Sequence, residues 1–121
     1  MQDYKKLEVW QKAHFLAVAI YEATRTFLKD ELYSLTSQIR RATVSIPSNI
    51  AEGCGRGGNA ELSQFLKIAL GSSNELEYQL LLAHDLKRLN AIDHENLDKQ
   101  VNEIKGMLIS LIQKVGKSNK F

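Results

Sequence analysis

Cysteine is nearly missing from this 121-residue chain. With Cys54 alone, there is no internal disulfide and no zinc cluster built on thiolates. Proline is equally scarce: Pro47 is the single one, and with seven glycines it leaves few places for the chain to break. No apolar run approaches the ~18 residues that a membrane crossing needs. The run from Phe15 to Ile20 is short and flanked by charge, so no membrane partner is expected. The start, Met1 to Lys6, is not followed by a signal-type apolar stretch, which makes the cytoplasm the expected compartment. A net charge of +2 is too mild to argue for nucleic acid by itself. At 44% hydrophobic and 25% charged, the composition is that of one soluble globular domain, expected over residues 1–121 without long disorder.

What is present is helical periodicity, four times over. Val9, Ala13, Leu16, Ile20, Ala23 and Phe27 recur at steps of four and three and predict a first helix over about 7–27. Trp10, Ala17, Tyr21 and Thr24 widen that stripe. Phe15, Val18 and Ala19 fall elsewhere around the same helix, and this second apolar face points to a partner chain. Leu35, Ile39, Ala42, Ile46 and Ile50 predict a second helix over 33–52, with a kink or break at Pro47 because proline frees the carbonyl of Thr43 and crowds it. Neighbouring hydroxyls could satisfy that carbonyl. The glycine-rich run from Gly53 to Gly58 supplies the turn.

A third helix over 60–89 follows from Leu62, Leu66, Ala69, Ser73, Leu76, Leu80 and Ala83, with Asn59 as its expected cap. Gly71 interrupts it at a cost of about 1 kcal/mol against alanine, which points to close approach of another helix. Asn90 to Asp93 reads as a short turn in which Asp93 caps the fourth helix, 94–115, built on Leu97, Val101, Ile104, Leu108, Leu111 and Val115. No strand pattern appears. The fold class expected is all-α, an antiparallel up-down-up-down four-helix bundle.

The residue types that carry chemistry do not converge. A carboxylate-bridged metal pair in a bundle would place Glu three residues before His; the positions before His14, His84 and His94 hold Gln11, Leu81 and Ala91. His14 and His84 could still meet in space, and His94 is expected on the surface. Cys54 sits at a helix C-terminus, where the dipole disfavours a thiolate. The Gly53–Gly58 run lacks the Gly-Lys-Ser/Thr ending of a phosphate loop and follows no strand. Glu52 and Glu75 stand out among the carboxylates, one by the helix end and one by the small-residue patch, in capping or salt-bridge roles. No catalytic residue, metal site or cofactor is expected.

Charge distribution says more than its sum. From Leu32 to Ala51 the only charges are Arg40 and Arg41, whereas Asp93, Glu95, Asp98 and Glu103 crowd the start of the fourth helix. Lys114, Lys117 and Lys120 make the tail basic. A surface built from Arg40, Arg41, Arg56 and neighbouring lysines could track phosphates, or the same residues could make a solvated face or intersubunit salt bridges.

Several blocks then match a known pattern: Leu7 to Ala13, Tyr33 to Ala42, Val44 to Gly53, Gly55-Arg56, Phe65-Leu66, Ile68 to Ser72 and Glu75 to Glu77. With these the chain resembles the bacterial four-helix bundle proteins first recognised as products of intervening sequences in 23S ribosomal RNA genes. That family is similar to the accessory variability proteins of diversity-generating retroelements. The resemblance implies a subunit that assembles into a homopentamer, and in the retroelement relatives a basic surface that binds RNA or DNA and a reverse transcriptase. Arg40, Arg41, Pro47, Asn49, Glu52, Gly53 and Arg56 fall within the family motif, where they would serve packing or the subunit interface as readily as a ligand. Phe15, Val18 and Gly71 join Pro47, Asn49 and Glu52 as candidate interface or packing positions. A buried Asn49 or Glu52 would need hydrogen-bond partners, which Arg40 or Arg41 could supply.

Overall fold

A computed structural model describes residues 3–31 and 33–118. Lys120, part of the predicted basic tail, lies outside the described residues, as does Leu32. Four helices carry the fold: α1 (Glu8–Ala23), α2 (Leu35–Cys54), α3 (Asn59–Asp85) and α4 (Ala91–Ser118). Short 3-10 turns, Tyr4–Lys6 and Lys29–Glu31, precede α1 and α2. Each helix packs on its neighbours in sequence and α4 returns to α1, while no Cα of α1 comes within 8 Å of one in α3. This is the up-down four-helix bundle, with α1 and α3 on one diagonal and α2 and α4 on the other.

The predicted stripes form the core. Leu16 and Ile20 meet Ile39, Ile46 and Ile50 from α2, Leu66, Leu76 and Leu80 from α3, and Ile104 and Leu108 from α4, all essentially sealed from solvent. Full burial of each such side chain is worth about 1.5–3 kcal/mol, which makes this interior the main favourable contribution to set against the chain entropy lost on folding.

The ends of the helices differ from expectation, and for local reasons. α1 stops at Ala23 rather than 27, and the buried Thr24 that follows it turns its hydroxyl back onto the Ile20 carbonyl, at 2.8 Å. α3 begins after Gly58 without a side-chain cap, so Asn59 is its first residue and not its cap. It ends at Asp85 rather than 89. Lys87 takes a left-handed backbone (φ 62°) that lets the Arg88 N–H reach the Ala83 carbonyl at 2.9 Å, and Leu89 then tucks into the core. The cap of α4 is Asn90, not Asp93. Asn90 Oδ1 accepts the Asp93 N–H at 2.8 Å, and Asn90 Nδ2 donates back to Asp93 Oδ2 at 3.0 Å. α4 therefore starts at Ala91, three residues earlier than predicted.

Pro47 does not break α2, which runs uninterrupted through it. Among the neighbouring hydroxyls, that of Ser45 is engaged elsewhere: Ser45 Oγ pairs with Ser72 Oγ of α3 at 2.8 Å and accepts from Asn49 Nδ2 at 2.9 Å. The buried hydroxyl of Thr43 itself makes no hydrogen bond. Two small-residue sites also exchange roles. Gly71 has open space where a side chain would stand, so no helix of the subunit approaches it. The close approach occurs at Gly53, where a Cβ would lie 2.9 Å from Phe65 Cβ and 3.0 Å from Leu62 Cδ1.

Candidate functional site

The three candidate arginines are set along the α2 side of the bundle in three different environments. Arg40, on the flank of α2 that faces α1, donates from Nε to Thr24 Oγ1 at 3.0 Å and lies 4.7 Å from the centroid of the Tyr21 ring. Among the described residues no carboxylate pairs with it. Arg41 points toward α3 and is neutralised by Glu75 at 2.6 Å, with Gln38 as a second partner. Arg56, past the far end of α2, pairs with Glu52 at 3.0 Å and lies over the Phe65 ring. The predicted basic surface is thus not one surface: a single uncompensated arginine remains. Asn49 finds its partner in Ser45 of its own helix, at 2.8 Å to the carbonyl, and calls on neither Arg40 nor Arg41.

Around Arg40 lies an open trough of about 760 Å³ over the outer face of α2, edged by Tyr21 of α1 and lined by Tyr33, Ser37, Arg41, Val44 and Ser48 among others, and by no acidic residue. It continues into a largely apolar stretch walled by Trp10, Val18, Pro47 and Ala51, with Glu22 at its edge. Pro47 is buried there, its ring forming wall rather than hinge. Tyr33, 89% exposed at the entrance to α2, was grouped with the second helix in the sequence but given no role.

Two further outward strips are apolar. On α1, Phe15 is 71% exposed and Val18 59% exposed. On α3, Ile68 and Tyr78 are half or more exposed and flank Gly71. Sequence reading found the first and missed the second, although Ile68, Gly71 and Tyr78 recur at steps of three and seven, a helical repeat set apart from the core stripe.

The titratable groups do not assemble into a reactive centre. His14 stacks on Trp10, with ring centroids 5.1 Å apart, while His84 stacks on His94 at 4.6 Å, so His14 and His84 do not meet. His94 is half-buried, not on the surface, and its Nε2 is sealed without a hydrogen-bond partner. Among the described residues no group of three or more histidine, cysteine or carboxylate side chains could hold a metal ion. Burial, and then the charge of Asp3, push the Cys54 thiol above its ordinary range. Among the described residues no helix is long and apolar enough to cross a membrane.

The comparisons with known proteins agree with this architecture. The family model for the 23S rRNA-intervening sequence protein matches residues 5–110. A crystal structure of a protein of unknown function from the S23 ribosomal protein family of Bacteroides thetaiotaomicron is similar at 30% identity, with a TM-score of 0.77. That match covers 86% of this chain and 97% of the other. No curated protein gives a significant match. With the family model spanning most of the chain and the bundle superposing on a member's crystal structure, this protein belongs to the 23S rRNA-intervening sequence protein family.

Proposed function

We propose that the chain is the subunit of an oligomeric scaffold with no catalytic role of its own, carrying RNA, DNA or an enzyme that works on them, such as a reverse transcriptase. The observation behind the assembly is the pair of outward apolar strips on diagonal helices, Phe15 and Val18 on α1 and Ile68 and Tyr78 around Gly71 on α3. The strips are different and face away from each other. A contact between one copy's α1 strip and the next copy's α3 strip is therefore heterologous, and such contacts close into rings or run on as filaments. The family resemblance favours a ring of five. The nucleic-acid partner is supported by Arg40, which keeps its full charge beside a trough without acids.

A second reading, a protein-only assembly module, is favoured by the ion pairs that neutralise Arg41 and Arg56. Light-scattering mass on a sizing column tests both. The wild-type chain should run near five subunits, and Phe15→Glu with Val18→Glu should run as one subunit with unchanged helical circular dichroism. A monomeric wild type would end the assembly reading. A pentamer whose mass ignores added RNA and single-stranded DNA at low salt would select the protein-only module.

A further inference from the structure

The lining of the Arg40 trough is specific enough to name what it takes. We infer that it binds single-stranded nucleic acid by stacking unpaired bases on Tyr33 and on the guanidinium plane of Arg40. This rests on the nucleic-acid reading above and assigns it a place and a strand form.

The argument starts with how Arg40 is held. Thr24 Oγ1 accepts from its Nε at 3.0 Å, and that hydroxyl is itself anchored to the Ile20 carbonyl. Tyr21 backs one side of the cation at 4.7 Å. An arginine fixed in this way is a planar cation with a preset orientation, so little rotamer freedom is lost when a base lies on it. Tyr33 stands at the same trough almost wholly in water. An aromatic ring that exposed contributes little to the core and is free to act as a second platform. Ser37 and Ser48 add hydroxyl donors for sugar or phosphate oxygens.

Magnitudes decide between single and double strand. A duplex offers phosphates at its surface, and affinity for them scales with the number neutralised. One uncompensated arginine is a poor duplex site. Each stacked base, by contrast, is worth roughly tenfold or more in affinity and needs an unpaired strand. The trough has no helix or ribbon projecting from it that could read a duplex groove.

Fluorescence anisotropy with the full-length wild-type protein tests this, using labelled mixed-sequence RNA, the matching DNA strand and the DNA duplex, each about a dozen nucleotides long. Both single strands should bind at least about tenfold tighter than the duplex. Tyr33→Ala should weaken them about tenfold while Tyr33→Phe holds the wild-type value. Arg40→Lys, which keeps the charge and loses the plane, should weaken them as well. Because Tyr33 is exposed, its variants leave the fold intact, which thermal melts verify independently. Single-strand affinity unmoved by both Tyr33→Ala and Arg40→Lys, or a duplex bound as tightly, would overturn the inference and leave nucleic-acid binding to another surface. Absence of binding to all three probes would overturn it together with the nucleic-acid reading.

Discussion

Gly53 and Gly71 are both helical glycines within the family-like blocks, yet the structure treats them in opposite ways. At Gly53 the end of α2 presses on Phe65 and Leu62 so closely that a methyl group has no room. At Gly71 the space is empty and the flanking Ile68 and Tyr78 look outward. The first glycine is spent inside the subunit. The second meets nothing inside the subunit. The same residue type thus marks tight helix packing at one place and an open outer face at the other.

The comparison can be broken most sharply at Gly53. Gly53→Ala should destabilise the fold by about 1–2 kcal/mol, an overpacking cost reduced by alanine's better helix propensity. A urea denaturation midpoint reads it, and an unchanged or raised midpoint would mean α2 and α3 are not tightly locked there. Gly71→Ala should do the reverse in a Phe15→Glu, Val18→Glu background where assembly is removed, adding about 0.5–1 kcal/mol through helix propensity alone. A loss in that background would show that Gly71 is needed within the subunit.

The smallest effect concerns the α3–α4 seam, away from both glycines. Glu77 is bonded to Lys105 at 2.8 Å, and that bond, more than any other cause, holds its carboxyl below the ordinary value near 4.5; burial works in the opposite direction. The unfolded chain therefore binds the proton more readily. The pair's stabilisation is complete above about pH 4.5 and fades as the pH falls through the lower folded value. Its size should be no more than about 0.5 kcal/mol for a pair this near the surface. Glu77→Gln should flatten that part of the acid stability profile, and an identical profile would remove the pair from the account. Glu103, held down by its hydrogen bond to Lys12 across the α1–α4 seam, shifts in the same direction with its side chain about half exposed.

The helices were legible because their stripes repeat at steps of three and four, and a stripe reports burial directly. Leu16, Ile39, Leu66 and Leu108 were all recognisable as core from spacing alone. The ends were not, because they turn on local contacts that periodicity does not report. Asn90 on the Asp93 N–H and the Arg88 N–H on the Ala83 carbonyl are examples. The outer face of α1 was readable as a second apolar set. The pairing of charges was not, since Arg41 meets Glu75 and Lys105 meets Glu77 across separations that only the packed bundle brings together. The candidate site suffered most from this. Of the three arginines, Arg41 and Arg56 have carboxylate partners once the helices pack, and Tyr33 is seen to line the trough beside Arg40 only in the folded chain.

The bundle is also polar in its layout. Leu7, ahead of α1, and Val115, near the end of α4, line one cleft with the Gly53–Gly58 turn, so both described chain ends lie at that end of the molecule. Tyr33 and the start of α2 lie at the other, separated by the 20 residues of α2, about 30 Å of helix. A fluorophore or surface tether attached beside Leu7 or Val115 would stand about a helix length from Tyr33 at the mouth of the trough, and nearer its Ser48 end. The molecule can be immobilised by its ends with that mouth left open to solution.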